Sequence, residues 1–220
     1  MKVLITGASG GIGSAIVKKF LACGHEVVGL DLLPSELSDP HYRHILADVT
    51  GELPEVDGVN VLITAAGVQA TDEKAIDVNL KGVIRTVEKY AFTPSVRSVL
   101  NVASASARNG SEFPAYAASK GGVVTYTKNA ALRLATFGAT CNSLSPGGVM
   151  TSSNAPVIQD ETLFREALNE SLLGKWAEAE EIAEWAYFLT VTNRSMTGED
   201  ILVDNGEMLR SHFVWPNEAK

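Results

Sequence analysis

Cysteine is scarce. The chain has two in 220 residues, Cys23 and Cys141, too far apart and too few for a disulfide framework or a paired zinc site, which fits a reducing, cytoplasmic setting. Basic residues are outnumbered, 18 Lys and Arg against 26 Asp and Glu, for a net charge of −8. Nucleic acids and anionic membranes require a basic surface, so this balance argues against both as partners unless a local patch supplies one. No apolar run reaches the length of a membrane helix, and the run Val3-Leu4-Ile5 stops at Thr6-Gly7, too early for a signal peptide. His25, His41, His44 and His212 share no face or ligand spacing, so no metal is expected. No composition break, repeat or low-complexity stretch divides the chain, and residues 1–220 read as one domain.

What is present has the proportions of a globular protein, 45% hydrophobic and 20% charged. Short runs rich in β-branched residues alternate with segments of helical period, the pattern of βαβ units. Strands are expected at 2–6, 26–31, 43–47, 59–65, 96–103, 139–144 and 200–204. Helices are expected at about 12–23, 72–92, 116–137 and 178–190. Val3-Leu4-Ile5 and Val61-Leu62-Ile63 are continuous apolar runs, as for parallel strands covered on both faces. The fold class is therefore α/β, a Rossmann-type doubly wound parallel sheet of about seven strands.

Thr6-Gly7-Ala8-Ser9-Gly10-Gly11-Ile12-Gly13 joins the first strand to the first helix. Its glycines allow a tight turn and close backbone approach, and the helix N-terminus offers N–H groups to a pyrophosphate; the other reading is a glycine-rich turn with no ligand. Asp31, ending the second strand 18 residues after Gly13, is placed to accept from ribose hydroxyls and to repel a 2′-phosphate, unless it is a turn or capping Asp. With no Arg or Lys in the glycine loop and Leu32-Leu33 after the Asp, the expected cofactor is NAD rather than NADP. Asp48 is a candidate for the adenine amino group or a surface turn. Tyr116 and Lys120 stand four apart, on one helix face. A cation beside a phenol favours the phenolate and brings a pKa of ~10 toward neutrality, so Tyr116 can serve as general acid/base, unless the two are an ordinary exposed helix pair, which the spacing taken alone favours.

With these landmarks in order, the whole chain resembles the short-chain dehydrogenase/reductase family. The matches are Thr6 to Gly13, Asp31, Asp48-Val49, Asn79, Ser104, Tyr116 with Lys120, Asn142, Pro146-Gly147, Thr151, Thr197-Gly198 and Val203-Asp204. The resemblance implies a catalytic tetrad. Ser104 polarises the substrate carbonyl, Tyr116 transfers the proton, Lys120 tunes Tyr116 and holds the nicotinamide ribose, and Asn79 retains a water linking Lys120 to solvent. It also implies cofactor contacts from Gly7, Ser9, Gly11, Ile12, Gly13, Asp31, Asp48, Val49, Ala65, Ala66, Gly67, Pro146, Gly147, Val149 and Thr151. Ser106 competes for the serine role, and Asn79 has the alternative of bonding its own helix backbone. Residues 150–173 would form a substrate lid whose apolar side chains either suit a hydrophobic substrate or pack on the domain.

The implied function is an NAD-dependent oxidoreductase interconverting a secondary alcohol and a ketone, with hydroxysteroid- or cyclic-diol-type substrates as candidates. The alternatives are a non-catalytic dinucleotide-binding regulator and a 3-oxoacyl-carrier-protein-reductase-like enzyme. A homotetramer or homodimer is expected, with the apolar tail 211–220 at an interface. Three departures stand out. Thr64-Ala65-Ala66-Gly67 replaces the family's Asn-Asn-Ala-Gly and loses a side chain that braces adjacent strands. Residues 50–58 are too few for the usual helix, and the short link from Gly67 to Asn79 is expected to leave a wider or shallower pocket.

Overall fold

A computed structural model describes residues 1–70, 72–111 and 113–209; the tail, with His212 and Trp215, lies outside them. The strands are β1 (Lys2–Thr6), β2 (Glu26–Asp31), β3 (Tyr42–Leu46), β4 (Val61–Thr64), β5 (Ser98–Val102), β6 (Thr140–Pro146), β7 (Val149–Met150), β8 (Ala177–Glu178) and β9 (Asp200–Val203). The helices are α1 (Gly11–Ala22), α2 (Glu73–Ala75), α3 (Gly82–Tyr90), α4 (Ser106–Asn109), α5 (Pro114–Leu134), α6 (Ala155–Ile158), α7 (Glu161–Glu170) and α8 (Ala179–Tyr187). None of the helices among the described residues is long and apolar enough to cross a membrane.

Seven strands make one parallel sheet in the order β3-β2-β1-β4-β5-β6-β9. Because side chains alternate across a strand, β1 sends Val3 and Ile5 to the face covered by α1 and α8, and Leu4 to the face covered by α3 and α5. Both faces are buried, which is why the central strands read as continuous apolar runs. The small β7–β8 ladder carries the chain from the end of β6 into 150–173.

The periodicity places the main elements within a few residues, and three differences have physical causes. The helical stripe ending at Cys23 is cut at Ala22, and Cys23 is an exposed cap. The helix expected over 72–92 is broken by a π-helical stretch, Ile76–Lys81, carrying Asn79. Residues 150–173, expected as a lid with no helix assigned, hold two helices, α6 and α7. Residues 50–58 carry no helix. They form a strap that buries Leu53 and Val56 and is tied to α3 where Tyr90 donates to the Pro54 carbonyl (2.5 Å) and Arg85 to that of Thr50.

At the departure Thr64-Ala65-Ala66-Gly67, a buried series of side-chain hydrogen bonds links β4, β5 and α5. Thr64 Oγ1 on β4 donates to Asn101 Oδ1 on β5 (2.8 Å), and Asn101 Nδ2 donates to Thr127 Oγ1 on α5 (2.9 Å), all fully buried. Replacing Asn101 with Ala leaves the Thr64 hydroxyl without its acceptor and opens a small void, a loss of about 3 kcal/mol. Thermal denaturation is then expected about 6–12 °C lower; an unchanged midpoint would show that the bracing lies elsewhere.

Candidate active site

The strand order reverses between β1 and β4, and the loops leaving these two strands meet at the carboxyl end of the sheet, where such folds bind ligands. Gly7 has φ of +70°, and a Cβ there would lie 2.5 Å from the Ala66 nitrogen. Its N–H donates to the Leu30 carbonyl (2.8 Å). A Cβ on Gly13 would overlap the Gly7 carbonyl, and one on Gly11 would lie 2.6 Å from Thr151 Cγ2. At Gly7 and Gly13 the neighbours are backbone and only glycine fits, while a side chain at Gly11 would require Thr151 to shift. The three glycines bring the N-terminus of α1, the Ala65–Gly67 segment and Thr151 to one point, a cradle shaped for a ligand that needs close backbone approach.

Beside it opens a cleft of about 830 Å³, bounded by Gly7, Asp31, Leu32, Leu33, Asp48, Val49 and Ala65 to Gly67. Asp31 Oδ2 accepts from the Ser9 N–H and Oδ1 from the Leu33 N–H (2.9 Å each), so its carboxylate braces the loop while each oxygen keeps a lone pair for a further donor. Asp48 Oδ1 closes a turn on the Thr50 N–H (2.8 Å) and hydroxyl (2.7 Å), and these bonds lower its pKa. The turn and the cleft position therefore coexist in one residue. Lys74, Lys81 and Arg85 also line the cleft; they lie on the helical segment that runs from Glu73 to Tyr90, far along the chain from the glycine loop.

The cleft is also lined by Gly67 and Val68, and not by Ser104, Tyr116 or Lys120. Helix α5 buries Tyr116 and Lys120 on one face. Lys120 Nζ donates to the Val102 carbonyl (2.9 Å) and sits 5.7 Å from the centre of the Tyr116 ring. A Cβ on Gly67 would lie 3.3 Å from Asn79 Oδ1 and 3.5 Å from Lys120 Nζ, so the amide and the ammonium converge on one backbone position. Asn79 does not bond its own helix. Its Oδ1 accepts from the Val68 N–H (2.7 Å), and its Nδ2 donates to the Val68 carbonyl (2.9 Å) and to Ser119 Oγ (3.1 Å). Ser119 in turn donates to the Tyr116 carbonyl (2.7 Å). Ser104 is buried after β5, flanked by N–H groups of Ala103 and Ala105 that donate to the Leu144 and Pro146 carbonyls.

Beyond β6, Pro146 and Gly147 turn the chain, and the Gly147 N–H donates to the Val203 carbonyl (3.0 Å). A Cβ on Gly148 would overlap the Trp176 indole. Val149 is buried, and its carbonyl accepts from Asn154 Nδ2 (2.8 Å). Asn154 was missed in the sequence, since a lone Asn in a Ser-rich stretch reads as a turn residue. Gln69 Nε2 donates to its Oδ1 (3.4 Å), joining the loop after β4 to the segment before α6. Phe164 of α7 packs edge-on to Trp176 (5.4 Å between centres).

A family model described as Enoyl-(Acyl carrier protein) reductase matches residues 43–207. An uncharacterized short-chain type dehydrogenase/reductase of Sinorhizobium fredii is 31% identical over 94% of this chain, which spans only 43% of that protein. Galactitol 2-dehydrogenase (L-tagatose-forming) of Cereibacter sphaeroides is 30% identical, with 96% of this chain and 94% of that protein covered. The crystal structure of a putative 2-deoxy-D-gluconate 3-dehydrogenase from Agrobacterium tumefaciens with bound NADP is similar, with a TM-score of 0.85 and 25% identity over 95% of this chain and 96% of that one.

Proposed function

The chain belongs to the short-chain dehydrogenase/reductase family, and from that premise we propose that it is an NAD-dependent oxidoreductase interconverting a secondary alcohol and a ketone. The observation that carries the reading is the convergence of Lys120 Nζ and Asn79 Oδ1 on Gly67, with the Lys120 ammonium below the buried Tyr116 ring. Gly7, Gly11 and Gly13 form a cradle that a dinucleotide pyrophosphate fits, with Thr151 closing its far side. When bound, the nicotinamide supplies or accepts the hydride. Tyr116 gives its phenolic proton to the developing alkoxide, or takes the alcohol proton in the reverse direction. Ser104 donates a hydrogen bond to the same oxygen, stabilising charge as it forms. Lys120 keeps a positive charge beside the phenol, and Asn79 holds the Val68 backbone and α5 in register.

For the cofactor, Asp31 and the exposed Leu32-Leu33 favour NAD. The NADP in the Agrobacterium protein and the cations on the cleft wall weigh the other way. We place the preference on Asp31, because it stands at the end of β2 beside the loop that it braces. Replacing Asp31 with Ala is expected to shift the ratio of NADP to NAD affinities by about 100-fold toward NADP. Asp31→Asn, which keeps one acceptor for the loop, should give most of the same shift. Dinucleotide titration by fluorescence checks this, and a ratio unchanged in both variants removes Asp31 from the role. For the substrate, the names of the Cereibacter and Agrobacterium relatives point to hydroxyl-rich compounds rather than to the hydroxysteroid class. A panel of polyols, sugar acids, cyclic diols and hydroxysteroids, followed by NADH absorbance, decides between them.

A further inference from the structure

Ser104 has one hydroxyl, with one proton to give and two lone pairs to fill. Both lone pairs are taken by one residue: the Ser106 N–H donates to Ser104 Oγ (3.2 Å), and the Ser106 hydroxyl donates to it as well (3.0 Å). Ser106 is only 2% exposed and Ser104 only 7%, so water competes little for these bonds. The backbone around them is held from both sides, by the Ala103 and Ala105 N–H groups on β6 carbonyls and by the Ala107 N–H on the Ser104 carbonyl (3.0 Å). With both acceptor sites filled, the remaining capacity of Ser104 is as a donor. Accepting two bonds also polarises its O–H and strengthens what it donates.

We infer that Ser106 is a positioning residue that holds Ser104 as a hydrogen-bond donor toward the reacting oxygen, so that the two serines act in series rather than as rivals for one role. This rests on the catalytic reading of Ser104 above. The backbone N–H of residue 106 survives any side-chain change, so Ser106→Ala removes one of the two bonds and leaves Ser104 in place.

The test is a series, Ser106→Ala and Ser106→Cys, made in the natural protein and in Ser104→Ala, with kcat, KM, NADH affinity and melting temperature measured for each. Loss of one buried bond to a transition-state donor is expected to lower kcat about tenfold in Ser106→Ala. KM and NADH affinity should change less than about twofold. The cysteine, similar in size but a weaker donor, should fall between. On the Ser104→Ala background, Ser106→Ala should lower kcat no further. An equal loss on both backgrounds, or no loss on the natural one, overturns the inference while leaving Ser104 its role. Full turnover in Ser104→Ala alone overturns both.

Discussion

Tyr116→Phe is expected to lower kcat about 1,000-fold, the middle of the range that general acid/base residues contribute, with NADH affinity changed less than about threefold. The substitution removes one oxygen atom and keeps the ring that stands over Lys120, so α5 and its packing should be undisturbed. Turnover assayed by NADH absorbance, beside NADH binding followed by fluorescence, separates lost chemistry from lost binding. Turnover that survives in Tyr116→Phe sinks the proton-transfer assignment. A variant that loses turnover and NADH binding together would mean that the tyrosine organises the site rather than transferring the proton.

Gly13→Ala is expected to have a large structural effect for a single added methyl group. Its Cβ overlaps the Gly7 carbonyl oxygen and comes within 2.8 Å of the Gly7 carbonyl carbon. Both are backbone atoms of a loop fixed by the Leu30 carbonyl and the Ala65–Ala66 segment, so neither can yield as a flexible side chain does. Either α1 shifts off β1 or the Gly7 turn opens. We expect a destabilisation above about 4 kcal/mol and dinucleotide affinity at least about 100-fold weaker. Gly10→Ala is the matched control. Gly10 has φ of −73°, and its Cβ would meet the same oxygen at 3.3 Å, a contact that a small shift relieves, so it should cost at most about 1 kcal/mol. If Gly13→Ala behaves like Gly10→Ala in thermal denaturation and in NADH titration, the cradle is not as tight as the backbone geometry implies.

The sheet and the helix that carries Tyr116 and Lys120 were legible in the sequence because period, length and punctuation all report on local backbone. Val61-Leu62-Ile63 marks a strand buried on both faces, and Tyr116 and Lys120 share a face by helical spacing alone. What stayed hidden depends on contacts between distant segments. The π-helical stretch at Asn79 has no periodic signature; the Asn79 amide inside it pairs with Val68 and Ser119 on other segments. The Thr64–Asn101–Thr127 chain joins residues whose polar character, taken one at a time, gives no hint of pairing. Lys74, Lys81 and Arg85 were overlooked because a search for cations near the glycine loop in sequence does not find those near it in space. Asn154 belongs to the same class, as its role follows from the Val149 carbonyl and Gln69.

The strand order carries a consequence for how the protein comes to be made. β1 lies at the middle of the sheet, and its two partners arrive later in the chain: Glu26 pairs with Lys2, and Val61 with Val3. The glycine cradle after β1 is thus translated before its opposite wall, Ala65 to Gly67, which follows β4. Since a chain emerges from the ribosome from its N-terminus onward, the nascent protein carries the whole glycine motif well before it has a second wall to set against it. Thr151, which meets Gly11, comes later still. The capacity to hold a nucleotide is therefore expected only after β4 and Thr151 have been made, well behind the glycine motif that signals it.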